Sequence, residues 1–140
     1  MAIPPSHLRA IKLFQENRIA EALLAFDDAL REGESAELWN DWATAQVAAG
    51  RFDEAEKGFG RALELDPKHC QAAVNLGVLL AGSGRLKEAM PLLKGGATGV
   101  DEEQQKVVKQ LLKECRARCR PPQKEQDHKP RPQPETSRRM

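Results

Sequence analysis

The sequence predicts an all-α solenoid in which three helix-turn-helix repeats stack and a C-terminal helix caps them. Three observations carry that reading. The segments NRIAEALLAFDDAL from Asn17, GRFDEAEKGFGRAL from Gly50 and GRLKEAMPLLKGGA from Gly84 echo one another at intervals of 33 and 34 residues. Their apolar positions recur every three or four residues, the period of a helix face. The composition is 40% apolar but only 4% aromatic, with no tyrosine, so the core must be aliphatic and alanine-rich. Alanine leaves little side-chain volume between helix axes, so neighbouring helices can pack closely.

Each repeat breaks at a residue that tolerates positive φ: Asn17, Gly50 and Gly84. Glu21, Glu54 and Glu88 then fall in the first turn of the second helix, near its positive dipole end. The apolar stripe of those helices begins at Ile19, Phe52 and Leu86. It continues through Ala22, Phe26 and Ala29, through Ala55, Phe59 and Ala62, and through Ala89 and Leu93. Between repeats, Ser35 is placed to cap the helix starting at Ala36. At Leu65-Asp66-Pro67 the aspartate is expected to cap the next helix, with the proline in its first turn. First helices are therefore expected at about 6 to 16, 36 to 48 and 68 to 82, and second helices at about 19 to 31, 52 to 64 and 86 to 95.

Asp101-Glu102-Glu103-Gln104 has the form of an N-cap with a reciprocal partner three residues on, opening one more helix. Val107, Val108, Leu111, Leu112 and Cys115 give it an apolar side suited to covering the end of a stack. From Pro121, PPQKEQDHKPRPQPETSRRM has five prolines and no aliphatic residue before the terminal methionine, so a disordered tail is expected. Residues 115–140 hold 8 basic and 3 acidic residues against a net charge of +1 for the chain, which leaves a mildly acidic body and a basic tail.

The residues of the second unit, Ala36 to His69, resemble the tetratricopeptide repeat family. Trp39 takes the tryptophan seat of its pattern, and Ala55, Phe59, Ala62 and Pro67 match outright, while Trp42-Ala43 replaces Leu-Gly and Gln46 replaces the tyrosine. The third unit keeps Leu76-Gly77 and Ala89, with Ala73 for the tryptophan and Gly96 for an alanine. The first keeps Ala22, Phe26 and Ala29 and has no closing proline. The resemblance spans about Ile3 to Ala97 and implies a right-handed α-solenoid. The expected domain runs over residues 1–119, with units at about 3–35, 36–69 and 70–100, a capping helix at about 102–118, and the disordered basic, Pro-rich tail over 120–140.

The resemblance also implies that the first helix of each unit lines a concave groove for a peptide or helix of another protein. By register that face comprises His7, Ile11 and Phe14, then Asn40, Asp41, Thr44 and Val47, then Gln71, Val74, Asn75 and Val78. One subgroup of the family clamps a C-terminal carboxylate with lysine, asparagine and arginine. The matching seats here are His7, Ile11, Asp41, Gln71 and Asn75, and Asp41 would repel a carboxylate, which argues against that chaperone-tail role.

Other chemistries find little support. Lys57-Gly58-Phe59-Gly60 lies inside a periodic helix, whereas a phosphate loop needs a strand before it and a helix N-terminus after it. The two glycines are instead expected to admit a close neighbour. Cys115 and Cys119 lack the second ligand pair of a zinc site, and neighbouring His69 and Cys70 do not face each other on a helix. Trp39 and Trp42, three apart, belong to the core rather than to a ligand cage. The basic stretch Arg116 to Arg120 has no aromatic stacking partners, so it points to no specific nucleic acid.

The expectation is a noncatalytic protein-interaction scaffold with no cofactor and no metal, partnered by an unidentified protein or peptide. Two alternatives stand beside it: an accessory segment of a larger enzyme or complex, such as a transferase, and self-association through Ile3, Leu8 and Ile11 at the uncapped first unit. Three cysteines without a disulfide framework, no signal-peptide h-region and no apolar run near the ~18 residues of a membrane span give a cytoplasmic expectation with no membrane role.

Overall fold

The computed structural model describes residues 3–119, and the tail expected over 120–140 lies outside them. Seven helices follow in order: α1 (Pro5–Gln15), α2 (Ile19–Glu32), α3 (Ala36–Ala48), α4 (Phe52–Leu65), α5 (Cys70–Gly82), α6 (Leu86–Gly96) and α7 (Glu102–Cys119), with a short 3₁₀ turn at Ala97–Gly99. No strand occurs among the described residues. The chain is an all-α solenoid.

The three turns within the repeats are built alike. Asn17, Gly50 and Gly84 have φ of 64°, 79° and 84°. At each, the following N–H reaches back five residues, Arg18 to Leu13, Arg51 to Gln46 and Arg85 to Leu80, while the turn residue's own N–H bonds three residues back. This Schellman arrangement satisfies carbonyls that the helix end would leave orphaned. Glu21, Glu54 and Glu88 lie in the first turns that follow. The Arg18 and Arg85 guanidiniums each grip the glutamate three residues on through two N–H donors.

The starts of the first helices differ more. Ser35 Oγ accepts from the Leu38 N–H at 3.0 Å, as expected of a cap. The third start departs from expectation. Asp66 does not cap α5: its carboxylate accepts from the Lys68 N–H, closing a local turn that holds Pro67 outside the helix. Helix α5 then begins at Cys70 rather than at 68, and His69 is its cap, with Nδ1 accepting from the Ala72 N–H at 3.1 Å. At α7 the Gln104 N–H donates to Asp101, but the Gln104 side chain lies along a cavity and does not return to the cap.

Two apolar clusters form the core. The first joins α1 and α2 to α3 through Ala10, Leu13, Ala22, Phe26, Ala29, Leu38 and Ala45. The second joins α3 and α4 to α5, α6 and α7 through Ala43, Ala55, Phe59, Leu80, Leu93, Val108, Leu112 and Cys115. Trp42 packs against both. Gly58 explains how it fits: a Cβ there would lie 2.6 Å from the Trp42 ring and 2.8 Å from Ala43, so only glycine lets α4 approach α3 this closely. Gly60 does not share that role. Nothing lies within 4 Å of its would-be Cβ, so the expected close neighbour is absent at this position.

Helices α1, α3, α5 and α7 touch in succession, whereas α2, α4 and α6 do not touch one another. The stack therefore curves with α1, α3, α5 and α7 on its inner side. Across the outer side, Arg61 bonds Glu34 at 3.0 Å and Arg85 bonds Glu56 at 2.7 Å, tying adjacent units through exposed, salt-screened pairs.

Candidate functional site

The inner face divides into a polar half and an apolar half. In the polar half, His7 is only 2% exposed, packs edge-on against Phe26, and donates through Nε2–H to Asp41 Oδ2 at 2.7 Å. This corrects its expected place: His7 fills the inner face between α1 and α3 and offers no surface to a partner. Ile11 and Phe14 are half-buried against the first cluster. Burial pushes the Asp41 carboxyl up from its ordinary range, and the neighbouring Glu37 adds to the rise. The His7 hydrogen bond and the charges of His7 and His69 act against it.

An amide ladder links the next helices. Asn75 Nδ2 donates to Asn40 Oδ1 at 3.0 Å, and Gln71 Nε2 donates to Asn75 Oδ1 at 3.0 Å. Asn40 itself is buried, so its role is to orient Asn75, while Gln71 and Asn75 remain half-exposed. Thr44 turns its hydroxyl back to the Asn40 carbonyl at 2.9 Å. Gln46 is buried on the same helix and its Oε1 has no partner.

Beyond the ladder, the inner face opens into a cavity of about 630 Å³. Thr44, Val47, Val74, Asn75 and Val78 line it, five of the residues placed on the groove by register. Phe52, Gln104 and Val107 line it too and were not expected there. Phe52, placed on the core stripe of α4, is 52% exposed at the cavity. Val107 belongs to a second stripe of α7: Val108, Leu112 and Cys115 face the core, while Val107 is 52% exposed. Its position one residue before the Val108 stripe is the signal that α7 has two apolar sides. The capping helix thus also forms one wall of the groove.

None of the lining residues is charged, so the cavity suits apolar side chains with a few amide and hydroxyl groups to orient them. No group of three or more His, Cys, Asp or Glu residues suited to hold a metal occurs among the described residues. Cys70, Cys115 and Cys119 are free. Cys115 is buried on the core side of α7, where burial pushes its thiol up, away from the reactive thiolate. Trp39 and Trp42 meet edge to face at 5.2 Å, with their N–H groups donating to Glu34 and Asp27. They form a packed pair rather than a cage.

Residues 40–99 match the family model described as tetratricopeptide repeat. No curated protein sequence matches the chain significantly. Among solved structures, the Yersinia enterocolitica type III secretion chaperone SycD, in complex with a peptide of the translocator YopD, superposes with a TM-score of 0.74 at 16% identity, covering 81% of this chain and 91% of that one. The TPR2B domain of yeast Sti1, in complex with pHsp70, gives a TM-score of 0.71 at 19% identity, covering 81% and 94%. The Arabidopsis OM64 TPR domain gives 0.72 at 21% identity, covering 81% and 93%. With its repeated turns, its glycine-mediated helix contact and this shared fold, the chain carries tetratricopeptide repeat sequence over residues 40–99 and has the fold of tetratricopeptide repeat domains.

Proposed function

We propose that this protein is a noncatalytic interaction scaffold that holds a peptide or helix of another protein on its inner face. The carrying observation is the uncharged cavity of about 630 Å³ beside the Gln71–Asn75–Asn40 ladder. Apolar side chains of the partner enter between Val47, Phe52, Val78 and Val107, and the free amide groups of Gln71 and Asn75 bond its backbone. Two of the similar structures are named as complexes, which supports the same use of this fold. We place the units at about 3–35, 36–69 and 70–100 and the cap at about 102–118. Three free cysteines favour a reducing setting, and we assign the scaffold to the cytoplasm.

The test is affinity capture by the full chain and by its Val78→Asp and Asn75→Ala variants. Val78 is 40% exposed, so the aspartate leaves the fold intact while placing a charge in the cavity. Recovery should fall at least tenfold for Val78→Asp and about threefold for Asn75→Ala. Unchanged recovery by both variants would remove the groove assignment.

A further inference from the structure

We propose that the groove takes a segment of another protein in which a large apolar side chain stands roughly two to four residues from a lysine or arginine. The inference rests on the groove reading and adds charge and register to it.

The apolar end is electrically empty, because no charged residue lines the cavity. The opposite end is acidic. Asp41 lies six residues before Val47 on α3, and Glu37 four residues earlier still. The Asp41 side chain is 29% exposed. Oδ2 is occupied by His7, and Oδ1 takes no hydrogen bond from the described residues. Glu37 is exposed. Neither Asp41 nor Glu37 forms an ion pair with a lysine or arginine among the described residues. Arg18, Arg61 and Arg85 are committed elsewhere, to Glu16 and Glu21, to Glu34 and Glu64, and to Glu56 and Glu88. Two carboxylates at i and i+4 on one helix repel each other. A bound cation relieves that repulsion, and an acidic peptide end adds to it.

Register follows from helix and strand geometry. Asp41 and Val47 are separated by about 9 Å along α3, at roughly 1.5 Å per residue. An extended peptide covers that span in about three residues at roughly 3.3 Å each. The anchor and the cation are thereby set a fixed distance apart. The chain's own residues 120–140 carry basic side chains but no aliphatic side chain before Met140. Their one large apolar side chain is Met140, so a segment of a different protein is the occupant if a Met140→Ser variant binds the selected peptides with unchanged affinity.

The experiment pans a random dodecapeptide phage library on the full-length chain and measures the selected peptides by fluorescence anisotropy. Selected sequences should pair Leu, Ile, Met or Phe with Lys or Arg at the stated spacing. Replacing that cation by glutamate should weaken binding about tenfold, and the loss should shrink to less than threefold in the Asp41→Asn, Glu37→Gln double variant. The amide introduced by Asp41→Asn keeps an acceptor for His7, and thermal melts by circular dichroism check that the variant is folded. If exposed Glu37→Gln alone is used, about half of the logarithmic effect should disappear. Peptides enriched for apolar residues with no charge preference, or for an acidic C-terminus, overturn the charge inference while leaving the groove in place. Peptides that bind the Val78→Asp variant as well as wild type overturn the groove reading itself. Failure to select any peptide overturns both.

Discussion

The two ends of the inner face use similar residues to opposite effect. Between α1 and α3 the surface is filled by the protein itself: His7 is seated on Phe26 and bonded to Asp41, and Ile11 and Phe14 lie against the core. Between α3, α5 and α7 the surface stays open, and Phe52, Val78 and Val107 remain exposed around a cavity. A solenoid of repeated units therefore need not present a repeated groove. One buried histidine is enough to seal a seat that its register would leave open.

Substitutions can break this comparison or sharpen it. The largest effects should come from Phe26→Ala on the sealed side and Phe59→Ala on the open side. Both rings are almost wholly buried, and each loss should cost about 3–5 kcal/mol in urea unfolding. Equal losses with one shared transition would show that the two clusters form a single cooperative unit. A second transition in either variant would separate them. Gly58→Ala comes next. It drives a methyl into Trp42 at the junction and should cost about 1–3 kcal/mol, read from thermal unfolding. Ser35→Ala and His69→Ala remove the caps of α3 and α5 and should each cost about 1 kcal/mol. Thermal melts of Ser35→Ala and His69→Ala against wild type check both caps. The smallest change should be a gain: Gly60→Ala meets no neighbour and should stabilise α4 by about 0.5–1 kcal/mol, the reverse of Gly58→Ala two residues away.

Much of the backbone could be read from the sequence because its signals are local. Positive φ at Asn17, Gly50 and Gly84, the Ser35 cap and the Asp101 cap each depend on a few adjacent residues. Asp66 misled because its carboxylate had a nearer N–H to satisfy, that of Lys68, and a histidine is an uncommon cap. The cavity lining was legible where α3 and α5 meet and illegible where distant residues decide. His7 is sealed by Asp41, 34 residues later in the chain, and by Phe26. Phe52 was indistinguishable by pattern from Ile19 and Leu86, which are half-buried, and only the arrangement of α5 and α7 leaves it exposed. Gly58 and Gly60 look alike in sequence, and the position of the Trp42 ring alone separates them.

That ring has a spectroscopic consequence. The chain contains two tryptophans and no tyrosine, and both indoles sit in contact on α3. Intrinsic emission excited at 295 nm therefore comes from one place, the seam where Trp42 touches both clusters. Fluorescence reports whether the seam is closed and is silent about α7, whereas circular dichroism averages every helix. Denaturation curves from the two probes that fail to overlay would expose a state with the capping helix released and the seam intact, in which the cavity has lost the wall that Gln104 and Val107 supply.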